Sequence, residues 1–427
     1  MLKSLVLVII SVPFLKVQCF ACSMCKVTIN GHTYLGNNED SWRLGSRIWF
    51  ESGSAGKLGA VYVGYGNNFP QGGMNEAGLA FDGLTTAPKI IHPRPDKKVI
   101  SNPLDFVKQI MQTCKTVEEV RRFAIQYDRQ TQFNNGEYFF TDRAGNYLVM
   151  ESDTLITGNK DKYIIANFCP SVTSEKERHN WARYDRGFQY IRNHPSDSNS
   201  NYALALTDTM HECREKLGDG TMYSFIADLD KGDFTLYFYH DFTHAVNFNL
   251  KEELSKGDHA SEMLALFPPN AEFKKLTDFK TPRNNVWMLT FLYLIGGFLL
   301  FSLVFYLSSF VIERKKVSFQ HQKYQYLKPV IAIMNILLLY FVFVLIRNEN
   351  IYYFPSPYHE DHLSLVNVAA YIPFLLITMI FPLINWNAKI SRDSNWNMFS
   401  KRLYTLHSLA YLILFSLFTY WGFYNIF

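Results

Sequence analysis

The chain has 427 residues with a formal net charge of +4, 48% hydrophobic and 16% aromatic residues; that is long enough for more than one domain and too weakly charged for a nucleic-acid-binding stripe. It carries no Gly-rich phosphate loop, no internal repeat and no low-complexity tract. Its near-neutral mean hydropathy averages two unlike halves: residues 22 to about 280 have ordinary globular composition, and residues 285–427 are dominated by runs of Leu, Ile, Phe, Val and Tyr.

In chain order, the first feature is an export signal over residues 1–21. Lys3 supplies a positive start, Leu5 to Leu15 form an apolar core too short to span a bilayer comfortably, and Cys19-Phe20-Ala21 offers small residues for cleavage before Cys22. An uncleaved anchor and a lipoprotein signal with acylated Cys22 stay open, although Cys19 stands where a lipoprotein signal usually has Leu. The six cysteines are Cys19, Cys22, Cys25, Cys114, Cys169 and Cys213, and in an exported domain some of the last four can pair. None has zinc-finger spacing, and Cys22-Ser-Met-Cys25 lacks the strand-then-helix context of a redox motif.

Cys25 to Ile29 alternates as a strand, Asn30-Gly31 is a type I′ hairpin turn, and His32 to Gly36 is the partner strand. Ala60 to Tyr65 and Leu79 to Leu84 read as further strands. Leu104 to Thr113 and Val117 to Tyr127 read as helices, the second opened by Thr116 with Glu119 three residues on. Glu137 to Thr141 and Tyr147 to Glu151 flank a turn, and Tyr163 to Asn167 is a short strand. Glu175 to Asn193 and Tyr202 to Glu215 read as helices, and Met222 to Asp228 with Phe234 to Tyr239 as a last hairpin. Hairpins interleaved with helix pairs predict antiparallel sheets covered by helices, an α+β layered domain. Its expected extent is 22–245, with 246–284 a polar connector.

Four stretches in 285–427 are long enough to cross a membrane: 286–312, 328–346, 365–386 and 403–424. The loops after the first and third hold Arg314, Lys315, Lys316, Lys323 and Lys328, and Lys389, Arg392, Lys401 and Arg402. The positive-inside rule places those loops in the cytoplasm and residues 22–285 outside it, in the periplasm, at a cell surface or in a lumen. His407 and Asn335 within spans, and Asn385 at an edge, are read as interhelical hydrogen-bonding groups.

The chemistry converges on Cys22. A two-residue turn at Asn30-Gly31 pairs Ile29 with His32, which carries Cys22 opposite Glu39 and beside Asp40. Cleavage before Cys22 would free an α-amine of pKa near 8, able to take the proton from the thiol of its own residue. An ordinary buried or disulfide-bonded cysteine is the competing reading.

Cys-Ser-Met-Cys-x5-Gly-x4-Gly-Asn-Asn-Glu-Asp, followed by Gly-Gly-Met-Asn-Glu-Ala-Gly-Leu at 72–79, resembles the cysteine N-terminal-nucleophile (Ntn) hydrolases of the choloylglycine hydrolase, penicillin V acylase and isopenicillin-N acyltransferase group. The resemblance covers roughly residues 22–245. It implies an αββα sandwich, here followed by an all-α bundle of four membrane helices. It further implies Cys22 as nucleophile, Asp40 as the acid around nucleophile and amine, and Asn167 as an oxyanion donor. Arg186 is implied as an arginine near the thiolate, with Arg183 as its close competitor. Asn37 stands where the bile-salt branch has an arginine, and Thr85 where that branch has an oxyanion asparagine.

The expected function is a membrane-tethered, extracytoplasmic amidase cleaving a linear N-acyl amide through an acyl-enzyme. N-acyl transfer by the same mechanism and a non-catalytic sensory or binding ectodomain are the alternatives. The reading calls for no cofactor and no metal ion; its partners are a small-molecule N-acyl amide and the bilayer, with no nucleic acid and no protein partner named.

Overall fold

The computed structural model describes residues 22–41, 43–54, 56–195, 201–214, 219–315, 324–353 and 368–425. The expected signal peptide falls outside the described residues. The described residues divide into two compact units, one running to Asp278 and one from Phe279 onward.

The strands of the first unit are β1 (Ser23–Ile29), β2 (His32–Ser41), β3 (Ser46–Glu51), β4 (Ala60–Tyr65), β5 (Pro70–Asn75), β6 (Ala80–Thr85), β7 (Lys98–Val99), β8 (Tyr127–Asp128) and β9 (Gly136–Thr141). They continue with β10 (Tyr147–Met150), β11 (Leu155–Gly158), β12 (Lys162–Ala166), β13 (Cys213–Arg214), β14 (Asp219–Asp228), β15 (Asp233–Phe238), β16 (Asp241–Asn249) and β17 (His259–Glu262). They build a seven-stranded sheet in the order β12-β1-β2-β14-β15-β16, with β13 on β14, and an eight-stranded sheet in the order β11-β10-β9-β6-β5-β4-β3-β17. The sheets face each other: Tyr65 meets Tyr223 at 6.3 Å between ring centroids, and Phe139 stacks on Tyr163 at 5.6 Å.

Helices Ala182–Asn193 and Tyr202–Met210 cover the outer face of the seven-stranded sheet. Helices Pro103–Thr113 and Val117–Ala124 cover the other, burying Phe106, Val107, Ile110, Met111, Val117 and Val120 against Tyr62, Phe81, Phe140 and Leu148. The result is the expected α+β sandwich of four layers. Asn30 and Gly31 take φ of 52° and 79°, the paired left-handed conformation of a type I′ turn. Thr116 accepts from the Glu119 N–H at the predicted helix start.

Residues 246–278 do not behave as a connector. β16 extends one sheet, helix Leu250–Ser255 follows it, and β17 pairs with β3 to close the edge of the other. Their polar composition misled because edge strands carry polar side chains on their open faces. Glycine-rich β5 and short β3 and β11 were equally silent. The stretch expected as one helix over 175–193 breaks into Glu175–Arg178 and Ala182–Asn193, with Trp181 extended and packed on Phe168 at 5.1 Å. The helix expected to end at Glu215 stops at Met210. Cys22, Cys25, Cys114 and Cys169 are free thiols.

In the second unit, helices Val286–Arg314, Leu327–Arg347, Ile372–Asp393 and Met398–Tyr420 are long and apolar enough to cross a membrane, by length and composition. Some of their internal polar groups hydrogen-bond to one another. Ser302 Oγ and His407 Nδ1 are 2.9 Å apart, Tyr411 donates to Asn335 Oδ1 at 2.8 Å, and Asn335 Nδ2 donates to the Leu299 carbonyl at 3.3 Å. Buried Lys328 donates to Ser309 and to Glu313 Oε2 at 2.6 Å.

The Met-Asn-Glu-Ala-Gly-Leu segment has a structural task. Buried Asn75 donates to the carbonyls of Met111 and Cys114 at 2.9 and 2.8 Å and accepts from the N–H groups of Ala77 and Leu79 at 3.1 and 3.0 Å. It ties the β5–β6 turn to the end of the helix Pro103–Thr113. Gly78 sits at φ 78°, and a Cβ there would fall 2.2 Å from Arg143 Nε, so the turn demands glycine. Replacing Asn75 by Ala strands several buried backbone groups. The expected cost is about 2–4 kcal/mol, read as a lower urea midpoint in pulse proteolysis of the detergent-solubilised protein; an unchanged midpoint refutes this role.

Candidate active site

The site is assembled by strand register. β1 and β2 pair Ile29 with His32 through Ser23 with Asn38, and β12 pairs Ala166 with Ser23. One step beyond the start of β1, Cys22 therefore has Glu39 on one flank and Asn167 on the other. Cys22 Sγ donates to Glu39 Oε2 at 2.9 Å. Asn167 Nδ2 donates to the carbonyl of Thr85 at 2.7 Å, joining the two sheets. Thr85 itself is exposed at the end of β6 while Cys22 and Asn167 are buried, so the row Asn167–Cys22–Glu39 lies near the rim of the sandwich.

Alternation along β2 sends neighbouring residues to opposite faces. Asn37 and Glu39 point between the sheets. There Glu39 Oε1 receives a long hydrogen bond of 3.4 Å from Tyr65, and Tyr223 stands beside Glu39 in the ladder. Asp82 on β6 is fully buried, with the Asn37 side chain and the Gly83 backbone beside its carboxylate. Asn38 and Asp40 point instead to the helix layer. Asn38 donates to Ser23 Oγ and to the Thr207 carbonyl at 3.2 and 2.8 Å and accepts from Ser224 at 2.6 Å.

Asp40 accepts from Arg183 Nη1 at 2.6 Å and from Thr221 Oγ1 at 2.7 Å. The Arg183 and Asp40 side chains are only 3% and 4% exposed. Arg186, one turn along the same helix, faces solvent and donates to the carbonyls of Thr209 and His211 at 3.0 and 2.6 Å. The structure thus gathers Cys22, Asn167, Thr85 and Asn37 around the inner face. It sets Asp40 beside them on the opposite face of β2, with Arg183 as its partner, and leaves Arg186 on the surface.

Two adjacent acids consequently live in opposite environments. Burial raises the Glu39 carboxyl to about 7, Asp40 adding to the push against the opposing Cys22 hydrogen bond. Burial and then Glu39 hold Asp82 well above the carboxylate range. Burial and then Glu39 also hold the Cys22 thiol well above its ordinary value. With residue 21 still attached, the sulfur is a neutral thiol clamped to a carboxyl, and a poor nucleophile. Chemically the arrangement offers a thiol, an acid within proton-transfer distance and an amide donor, while burial and Glu39 disfavour the thiolate.

Alternation along β6 and β2 was the available signal for Asp82 and for the inward turn of Glu39. Tyr65 and Tyr223 had none beyond their β-strand setting. Among the described residues, none of the His, Cys and carboxylate groups close enough to share an ion includes Cys22, Glu39 or Asp82.

No protein-family model and no curated protein matches the chain. Among solved structures it is similar to a variant of the conjugated bile acid hydrolase from Clostridium perfringens, at 14% identity over 58% of this chain and 97% of that one, with a TM-score of 0.46. It is also similar to penicillin V acylase from Agrobacterium tumefaciens, at 15% identity over 55% of this chain and 88% of that one, with a TM-score of 0.41.

Two outcomes follow from the electrostatics. Arg183→Met leaves Asp40 buried and unpaired, an expected loss of about 3–5 kcal/mol, whereas Arg186→Ala at an exposed pair costs about 1 kcal/mol or less; equal urea midpoints for the two variants contradict this assignment. For Glu39, the folded value near 7 lies above an unfolded value of about 4.3. The folded chain therefore binds more protons in that window. The contribution is fully present below about pH 4 and is lost as pH rises through 7. In protein retaining the residues before Cys22, thermal midpoints should fall from pH 5 to 7.5, less so in Glu39→Gln.

Proposed function

We propose that residues 22–278 form an extracytoplasmic amidase tethered by the four C-terminal helices, with Cys22 as an N-terminal nucleophile acting on linear N-acyl amides. The reading is carried by one observation, the lateral row Asn167–Cys22–Glu39 set by β12, β1 and β2. The ordered pair of motifs around Cys22 and Gly72 that resembles the cysteine Ntn hydrolases supports it. So does the backbone of Cys22, whose φ of 20° is disfavoured for an L residue and ceases to exist as a torsion once Cys22 begins the chain. The basic residues after the first and third helices support an outside position for this unit.

Removal of the preceding segment supplies what the site lacks. The new α-ammonium offsets the charge of Glu39 and Asp82 and draws the thiol pKa down. As the free amine it takes the Sγ proton, and the thiolate attacks the substrate carbonyl. Asn167 spends one Nδ2 hydrogen on the Thr85 carbonyl, which orients the amide, and turns the second toward the developing oxyanion. Collapse of the tetrahedral species expels the substrate amine, protonated by the Cys22 ammonium. The free amine then activates water to hydrolyse the thioester. Asp40, locked by Arg183 and Thr221, positions the end of β2 from behind. Asn37 and Thr85 line the substrate side.

The test is mass spectrometry of the membrane-extracted protein combined with turnover of a panel of N-acyl amino acids, N-acyl amines and penicillin V. The mature chain should begin at Cys22 with an unmodified amine. Cys22→Ala should lose at least ~10³-fold in kcat, and Asn167→Ala ~10²–10³-fold. Turnover that persists in Cys22→Ala, or a mature chain carrying extra residues or a fatty chain ahead of the sulfur, overturns the proposal. Product formation only with an added amine acceptor reassigns the chain to acyl transfer.

A further inference from the structure

A second group of chemically distinctive side chains lies at the start of β14, drawn from three separate stretches of the first unit. Cys213 is in β13, which pairs with the start of β14 opposite Gly220. His240 occupies the tight turn between β15 and β16, where Phe238 pairs with Asp241. Glu272 lies in the first turn of the helix Ala271–Asp278.

The three donor atoms converge. Cys213 Sγ is 3.7 Å from Glu272 Oε2, His240 Nε2 is 3.5 Å from the same oxygen, and all three atoms lie within 4.8 Å of one another. A tetrahedral ion with bonds of about 2.0–2.3 Å holds its ligands roughly 3.3–3.8 Å apart, so two of the three separations already match the edges of such a site. A thiol sulfur, an imidazole nitrogen and a carboxylate oxygen form a borderline-soft set, the kind that zinc takes.

His240 provides the independent sign of a ligand. Its side chain is 10% exposed, yet Nε2, aimed at the other two donors, makes no hydrogen bond. A buried imidazole nitrogen left without one is costly. Tyr239 and His240 take φ of 51° and 46° in succession, the paired left-handed conformation of the two-residue turn between β15 and β16. The His211 ring lies parallel to His240, with 6.0 Å between centroids and 8° between planes, fixing the plane of the imidazole.

We propose that Cys213, His240 and Glu272 bind one zinc-class divalent ion, with water in the fourth position, fastening the helix Ala271–Asp278 to the end of the seven-stranded sheet. Binding releases the Cys213 thiol proton to solvent and leaves the ion on thiolate, neutral imidazole and carboxylate. The ion takes no part in the chemistry at Cys22. Sequence spacing gives no hint of it, because the ligands come from residues 213, 240 and 272.

The experiment uses the full chain, purified in detergent with a histidine-free tag, and the bare ions as probes. After equilibration with Zn²⁺ and removal of excess, elemental analysis should find one equivalent in the wild type. Cys213→Ser and His240→Gln should weaken zinc affinity ~100-fold or more. With Co²⁺ the wild type should show a thiolate-to-cobalt charge-transfer band that disappears in Cys213→Ser and persists in Cys22→Ala and Cys114→Ser. Glu272→Gln, at a side chain 49% exposed, guards against misfolding: it should fold as the wild type and lose the rise in thermal midpoint that zinc confers. Zinc content in the wild type no higher than in Cys213→Ser, or a cobalt band indifferent to Cys213, shows a hydrogen-bonded polar cluster only and overturns the proposal.

Discussion

The register of the first hairpin is the constraint on which the site rests. Because side chains alternate along a strand, a slip of one residue would exchange every inner-facing group of β2 for an outer-facing one. The two-residue turn at Asn30-Gly31 removes that freedom, and β12 repeats the same parity from the other side. Together they make Glu39, and not Asp40, the acid that meets the Cys22 sulfur.

The consequence is a division of charge across one sheet. Behind it, Asp40 is neutralised by Arg183 and held by Thr221, which anchors a helix to the strand that carries the site. In front of it, burial pushes the Cys22, Glu39 and Asp82 side chains toward their neutral forms, and Glu39 adds to the shift of the other two. A site so arranged stores an electrostatic deficit. Under the proposed function, a newly freed amino terminus would supply the positive charge that favours the thiolate from within the same residue.

Polar residues elsewhere show how often chemistry-bearing side chains serve architecture. Asn75 lies inside the most distinctive motif of the chain, yet all its hydrogen bonds go to backbone groups of a turn and a helix end. His407 and Asn335, inside apolar helices, hydrogen-bond to neighbouring helices. Among the described residues other buried polar atoms make no hydrogen bond, Nε2 of His407 and of His240 among them.

Local rules determined a good deal from the amino-acid order alone. The Asn-Gly turn, the Thr116 helix start, the α+β layering and the four long apolar helices are short-range patterns, and each is legible without a partner. So was the pairing that brings Glu39 to Cys22, since a two-residue loop dictates register. Tertiary structure decided the rest. Residues 246–278 joined the sandwich because β3 needed an edge partner. Arg183 rather than Arg186 reached Asp40: the two stand about one turn apart on neighbouring positions of the helix surface, and Arg186 lies over the carbonyls of Thr209 and His211 instead. Asp82 became a neighbour of the thiol only when the second sheet closed over the first. A sequence records which groups a strand or helix presents on each side, but what stands opposite depends on elements distant in the chain, and burial, the origin of every pKa shift around Cys22, exists only after they pack.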